Sequence, residues 1–170
     1  WSFFNLPSQV QSLTWNIEVE AKDGRKFALM FAFHGNGDPG QGRVRNVARV
    51  TSDRDPVITI GVQYQQLKPD GGGQMGLPML ADPRTTLGAC RWLLDKVMAE
   101  QPVDPERVFV GGFSMGAGYA GAFSQVEWRD NRAKFPFRAV FQFSGTPGGG
   151  SGKDAFPPVP HFFTVGELET

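Results

Sequence analysis

Cysteine is all but missing from the chain, which holds Cys90 and no other. No disulfide can join two of these 170 residues, so a small secreted module stapled by bridges is excluded. Cys90 itself falls in a helical pattern and reads as a buried core thiol. Histidine is scarce too, limited to His34 and His161. With so few ligands, no cluster has the spacing of a metal site. Excess charge is absent: 17 Lys and Arg face 17 Asp and Glu. A neutral chain without a basic stripe lacks the footprint of a nucleic-acid binder, and its neutrality argues against electrostatic docking on an anionic membrane. No apolar run approaches the ~20 residues of a membrane span. A starting methionine and a signal-peptide pattern are lacking as well. The chain opens Trp1-Ser2-Phe3-Phe4, from which a processed or trimmed amino end is expected.

What is present fits one globular domain covering residues 1–170. The hydrophobic fraction is 40%, enough for a real core, and the length is that of a single domain. The 22 glycines and 13 prolines stay below the level that signals disorder. Leu13 to Glu20 alternates apolar and polar residues, the period of a half-exposed strand. Asp23-Gly24 is a turn signal, and Lys26 to Phe33 reads as a second strand, apolar on both faces. These two are expected to form a hairpin at a sheet edge.

From there strands alternate with helices. Arg43 to Ser52 carries a weak helical pattern, and Val57 to Val62 is a buried strand. Gln63 to Leu80 is an irregular loop. Asp82-Pro83 starts a helix that ends near Gln101-Pro102. Asp104 to Arg107 is a connector, Val108 to Phe113 a strand, and Met115 to about Glu127 a helix. Phe137 to Phe143 and His161 to Val165 are further strands. The rhythm predicts an α/β fold, a mostly parallel sheet with helices on both faces. Its active site belongs at the carboxyl ends of the strands.

One segment there carries chemistry. The strand ending at Phe113 runs straight into Gly112-Phe113-Ser114-Met115-Gly116, and a helix follows at once. That is the context of a nucleophile elbow. The turn is so sharp that strand and helix nearly touch two positions before and after the serine, where only small residues fit. The hydroxyl of Ser114 is thereby lifted clear of the sheet, at a helix amino end that favours developing negative charge. The loop His34-Gly35-Asn36-Gly37-Asp38, after the most buried strand, is placed to supply a second oxyanion donor. The expected donors are the backbone N–H groups of Met115 and Asn36, with Gly37 as the alternative to Asn36.

The acid is expected after the strand His161 to Val165, where Glu167 and Glu169 stand. Glu169 is the first choice and Glu167 the second; either is otherwise a solvated loop charge. The base is the difficulty. His34 precedes the serine, whereas the expected chain order is serine, acid, histidine, so His34 reads as a buttress of its loop. His161 begins a strand, at the sheet end opposite Ser114. A histidine in the expected order would fall after Thr170. The chain is therefore expected to be a carboxyl-truncated piece of a longer hydrolase, with little turnover of its own. Full activity in the 170 residues would point to His34 instead. The run Gly148-Gly149-Gly150-Ser151-Gly152-Lys153-Asp154 suggests a phosphate loop, but Pro147 stands where its first glycine belongs and Asp154 where Ser or Thr does.

Val103 to Gly116 resembles the segment around the nucleophile in α/β-hydrolases of the polyhydroxybutyrate-depolymerase-like and feruloyl-esterase-like kinds. His34-Gly35-Asn36-Gly37 resembles their oxyanion loop. Pro158 to Glu169 looks like their acid-bearing strand and loop, with Glu169 where Asp is commoner. The resemblance spans roughly residues 13 to 170. It implies an extracellular or periplasmic serine esterase that needs no cofactor and acts on a small-molecule or polymeric ester through an acyl-enzyme. Two other readings share these residues: a serine peptidase of the prolyl-oligopeptidase type, and a binding protein that kept the fold and lost the base.

Overall fold

A computed structural model describes residues 2–4, 12–16, 24–36, 38, 57–63, 83–145 and 156–165. Seven strands form one sheet: β1 (Ser2–Phe4), β2 (Ser12–Asn16), β3 (Phe27–Phe33), β4 (Val57–Gln63), β5 (Val103–Phe113), β6 (Ala139–Phe143) and β7 (His161–Thr164). Their order across the sheet is β1-β2-β4-β3-β5-β6-β7. The five strands β4, β3, β5, β6 and β7 run parallel, β2 runs antiparallel to β4, and β1 runs antiparallel to β2. Two helices, α1 (Pro83–Glu100) and α2 (Met115–Asp130), link β4 to β5 and β5 to β6. The expected helix over residues 43–52 and the loop 64–80 lie outside the described residues.

β3 explains the arrangement. Phe27, Leu29, Phe31 and Phe33 are buried on one face and Ala28 and Ala32 on the other. A strand apolar on both sides is stable only at the centre of a covered sheet. It sits between β4 and β5, with Phe31 level with Ile60 on one side and Val110 on the other. The expected hairpin is therefore not formed. β2 pairs with β1 and with β4, where Ser12 faces Gln63 and Asn16 faces Thr59. Gly24 takes a φ of 68°, and β3 takes its place on the far side of β4 from β2.

The expected connector 104–107 is a bulge inside β5. The register jumps from Phe27–Val103 to Leu29–Val108. The excursion is closed by the Glu106 amide donating to Asp104 Oδ1 at 3.0 Å and Arg107 Nε donating to Asp104 Oδ2 at 2.9 Å. Arg107 also donates to the Lys26 carbonyl at 2.8 Å.

Both described helices share one buried cluster with β3, β4 and β5. Leu87, Cys90, Leu93, Leu94 and Val97 come from α1, Ala120 and Phe123 from α2. Phe123 is the hub, its ring 5.4 Å from Phe31 and 5.4 Å from Phe137. Each such ring contributes about 1.5–3 kcal/mol by burial. Arg91 on α1 pairs with the buried Glu127 of α2, which also accepts from Asn131 Nδ2 at 3.1 Å. The core thus fixes α2, and with it the turn at its amino end. Among the described residues, no helix is long and apolar enough to cross a membrane.

Candidate active site

β5 delivers Phe113 at its carboxyl end and α2 starts at Met115, so a single residue, Ser114, makes the turn. Ser114 holds φ 54° and ψ −122°. Those angles lie outside every well that ordinary residues favour, and they persist only where the surroundings over-determine them. Three close approaches do so. A Cβ added to Gly112 would stand 2.0 Å from the carbonyl oxygen of Gly116. One on Gly116 would stand 2.4 Å from the His34 carbonyl oxygen and 2.5 Å from that of Phe33. One on Gly145 would stand 2.5 Å from the Ser114 carbonyl oxygen. The first two glycines belong to the expected elbow; Gly145 comes from the neighbouring strand end.

Hydrogen bonds complete the frame. The Ser114 amide donates to the Phe143 carbonyl at 2.8 Å, and the Ala117 amide donates to the Ser114 carbonyl at 2.9 Å. A serine at a helix N-cap usually spends its hydroxyl on an amide of the first turn, which stabilises the helix by about 1 kcal/mol. Ser114 makes no such side-chain cap. Its hydroxyl thus stays out of the capping bond, at a half-buried position.

The loop after β3 packs beside this turn. A Cβ on Gly35 would lie 3.1 Å from Phe113 Cδ1 and 3.3 Å from the Phe113 carbonyl oxygen. The Asp38 amide donates to the Gly35 carbonyl at 3.2 Å and closes a turn that leaves Asn36 exposed. Ser114, Met115 and the loop bearing Asn36 are thus brought together. Gly37, Glu167 and Glu169 lie outside the described residues.

The two histidines are placed differently. His34 is fully buried, and its Nδ1 donates to the carbonyl of Gly35 at 2.6 Å, which ties the ring to its own loop. His161 is level with Val140, and Val140 with Val110. That is four residues short of Ser114, roughly 13 Å down the strands at 3.3 Å per residue. It packs between Phe156 and Phe163.

Two residues on β6 and its end were not singled out from the sequence. Gln142 is completely buried and donates through Nε2 to the Ala117 carbonyl at 2.9 Å. Gly145 is the close neighbour of Ser114 noted above. The available signal for Gln142 is a lone polar residue inside the apolar run Ala139-Val140-Phe141-Gln142-Phe143.

No protein-family model matches the chain, and no curated protein matches it. Solved structures do. A thermostable esterase is 17% identical with a TM-score of 0.57, over 95% of this chain and 44% of its own. LAE6, an α/β-hydrolase enzyme from the metagenome of Lake Arreo, Spain, is 17% identical with a TM-score of 0.55, over 85% and 43%. FphF, a fluorophosphonate-binding serine hydrolase of Staphylococcus aureus, is 14% identical with a TM-score of 0.54, over 85% and 55%. The chain spans about half the length of these structures. Likeness at this level is a likeness of fold, and it agrees with the strand order and the sharp turn at Ser114: the chain has the α/β-hydrolase fold.

Proposed function

We propose that the protein is a serine hydrolase that cleaves carboxylic esters through an acyl-enzyme, with Ser114 as nucleophile. The observation that carries this reading is the uncapped Ser114 hydroxyl on a strained one-residue turn between β5 and α2. The turn is held by glycines whose replacement would drive a Cβ into backbone. Such strain is kept where it positions a reacting group. The solved esterases of the same fold support the ester class.

In this reading Ser114 Oγ attacks the substrate carbonyl and gives its proton to a histidine. The tetrahedral oxyanion is held by the N–H groups of Met115 and Asn36, each donor worth about 3–4 kcal/mol in the transition state. The alcohol leaves with the proton, and water then releases the acid by the same steps in reverse roles. Glu169, or Glu167, orients the histidine. His34 is tied to Gly35 and His161 lies at the wrong level of the sheet, so neither is assigned as that base.

The test is turnover by the full-length protein on p-nitrophenyl esters and on peptide p-nitroanilides, each with the Ser114→Ala variant. Ester hydrolysis that falls by about 10⁴-fold or more in the variant is expected. Ester hydrolysis that survives the substitution refutes the nucleophile. Preference for anilides turns the reading to a peptidase, and no hydrolysis of either to a binding protein.

A further inference from the structure

Gln142 stands on β6 level with Gly112 of β5 and Phe163 of β7. It is wholly shielded from solvent. Its neighbours on the strand are Phe141 and Phe143, and Val140 on the same face is fully buried. An apolar side chain would suit this position. The carboxamide instead gives one N–H to the Ala117 carbonyl at 2.9 Å, while its Oε1 has no hydrogen-bond partner among the described residues. Among the described residues the one bond this buried carboxamide makes is the one to Ala117, and a buried polar group is kept for the bonds it makes.

Its bond lands where the elbow is held. Ala117 is the third residue of α2, and its amide donates to the Ser114 carbonyl. Ala117 is therefore gripped at both ends, by Ser114 through its N–H and by Gln142 through its C=O. The carbonyl of Phe143, next to Gln142, accepts the Ser114 amide at 2.8 Å. Gly145, three residues past Gln142, lies against the Ser114 carbonyl and the Ala117 methyl. The end of β6 and the residues just after it thus grip Ser114 from its amide, from its carbonyl, and through the first turn of α2.

We infer that Gln142 is a positioning residue for the nucleophile: its buried carboxamide anchors the first turn of α2 and so holds Ser114 in its strained conformation. The inference rests on Ser114 being the nucleophile. Losing the anchor lets the first turn drift and the hydroxyl leave its line of attack, while the rest of the apolar core stays packed. The effect falls on kcat rather than on KM.

The test uses the full-length protein, p-nitrophenyl acetate as substrate, and thermal unfolding alongside kinetics. Gln142→Met keeps the length and removes both polar atoms. It is expected to lower kcat roughly tenfold, leave KM within about twofold, and leave the unfolding midpoint unchanged or raised. Gln142→Glu keeps the shape but, when ionised, has no proton to donate to Ala117. It is expected to lower kcat at the alkaline pH where the buried carboxyl ionises, with the deficit relative to wild type narrowing as the pH is lowered and the carboxyl regains a proton. A Gln142→Met protein with undiminished kcat overturns the inference. So does a loss of kcat that only tracks a falling unfolding midpoint. If Gln142→Met does not fold, Gln142→Glu decides alone, read up to about pH 10 because burial raises a carboxyl pKa: a deficit that does not change with pH, or none at the top of that range, refutes the anchor. An inactive Ser114→Ala beside a fully active Gln142→Met removes only the role of Gln142, whereas an active Ser114→Ala removes both readings.

Discussion

Two serines end neighbouring parallel strands with the same unusual backbone sign. Ser114 follows β5 at φ 54° and Ser144 follows β6 at φ 50°. The resemblance stops there. The Ser144 amide is spent on β7, donating to the Thr164 carbonyl at 2.8 Å and to Thr164 Oγ1 at 3.2 Å. Ser144 turns the chain so that Gly145 can press on the Ser114 carbonyl. Ser114 opens a 16-residue helix and leaves its hydroxyl out of the capping bond that this position offers. Positive φ alone therefore does not make a strand-to-helix turn of the kind seen at Ser114. What separates the two is the helix that begins at once and the glycines that let it pass so close.

The largest effect should separate them by activity. In the full-length protein, Ser114→Ala is expected to reduce kcat by about 10⁴-fold or more. Ser144→Ala should stay within a few-fold of wild type, because its structural bond is made by the backbone. Comparable losses in both would erase the distinction. Next come the glycines. Gly112→Ala would push a methyl into the Gly116 carbonyl and should destabilise by about 3 kcal/mol or more. Gly118→Ala, one turn into α2 with nothing within 4 Å of the added Cβ, should stabilise by up to about 1 kcal/mol through helix propensity. Thermal unfolding of the two variants checks the contrast, and equal midpoints would contradict it.

Smaller still is Thr164→Val, which removes one acceptor from the Ser144 amide and leaves the carbonyl. It should cost no more than about 1 kcal/mol and leave kcat unchanged; a large loss of turnover would mean that Ser144 does more than turn the chain. The smallest effect is a pH dependence on β7 itself. Burial holds the His161 imidazole below its ordinary value, with the Pro157 carbonyl working the other way. The unfolded chain thus takes up the proton first. The contribution of His161 to stability is complete above its unfolded pKa of about 6.5 and is lost as the pH falls through the lower folded value. The unfolding midpoint should decline from roughly pH 7 to pH 5, less steeply in His161→Phe than in wild type. Identical slopes would count against it.

The elbow was legible in the sequence because sterics restrict it locally. Gly112 and Gly116 admit no other residue, so five letters and their strand-to-helix setting record the turn. The buried strand Phe27–Phe33 was legible for a similar reason, since a run apolar on both faces has one place in a sheet. Strand order was not. Asp23-Gly24 is a sound hairpin signal, yet whether β2 joins β3 or β4 is a choice among distant partners that local spacing does not encode. Gln142 and Gly145 were missed on the same ground. Each acts across strands on Ser114 and Ala117, 25 or more residues away in sequence. The acid and base rest on chain order alone, since Glu167 and Glu169 lie outside the described residues.

The central claim is that Ser114, and not its look-alike Ser144, is the nucleophile. Its most direct measurement is intact-mass and peptide-mapping analysis of the full-length protein treated with a fluorophosphonate, which phosphonylates an activated serine hydroxyl. The account predicts a single adduct on Ser114, formed equally by Ser144→Ala and absent from Ser114→Ala. An adduct on Ser144, or folded protein that labels elsewhere while Ser114 stays unmodified, would contradict it.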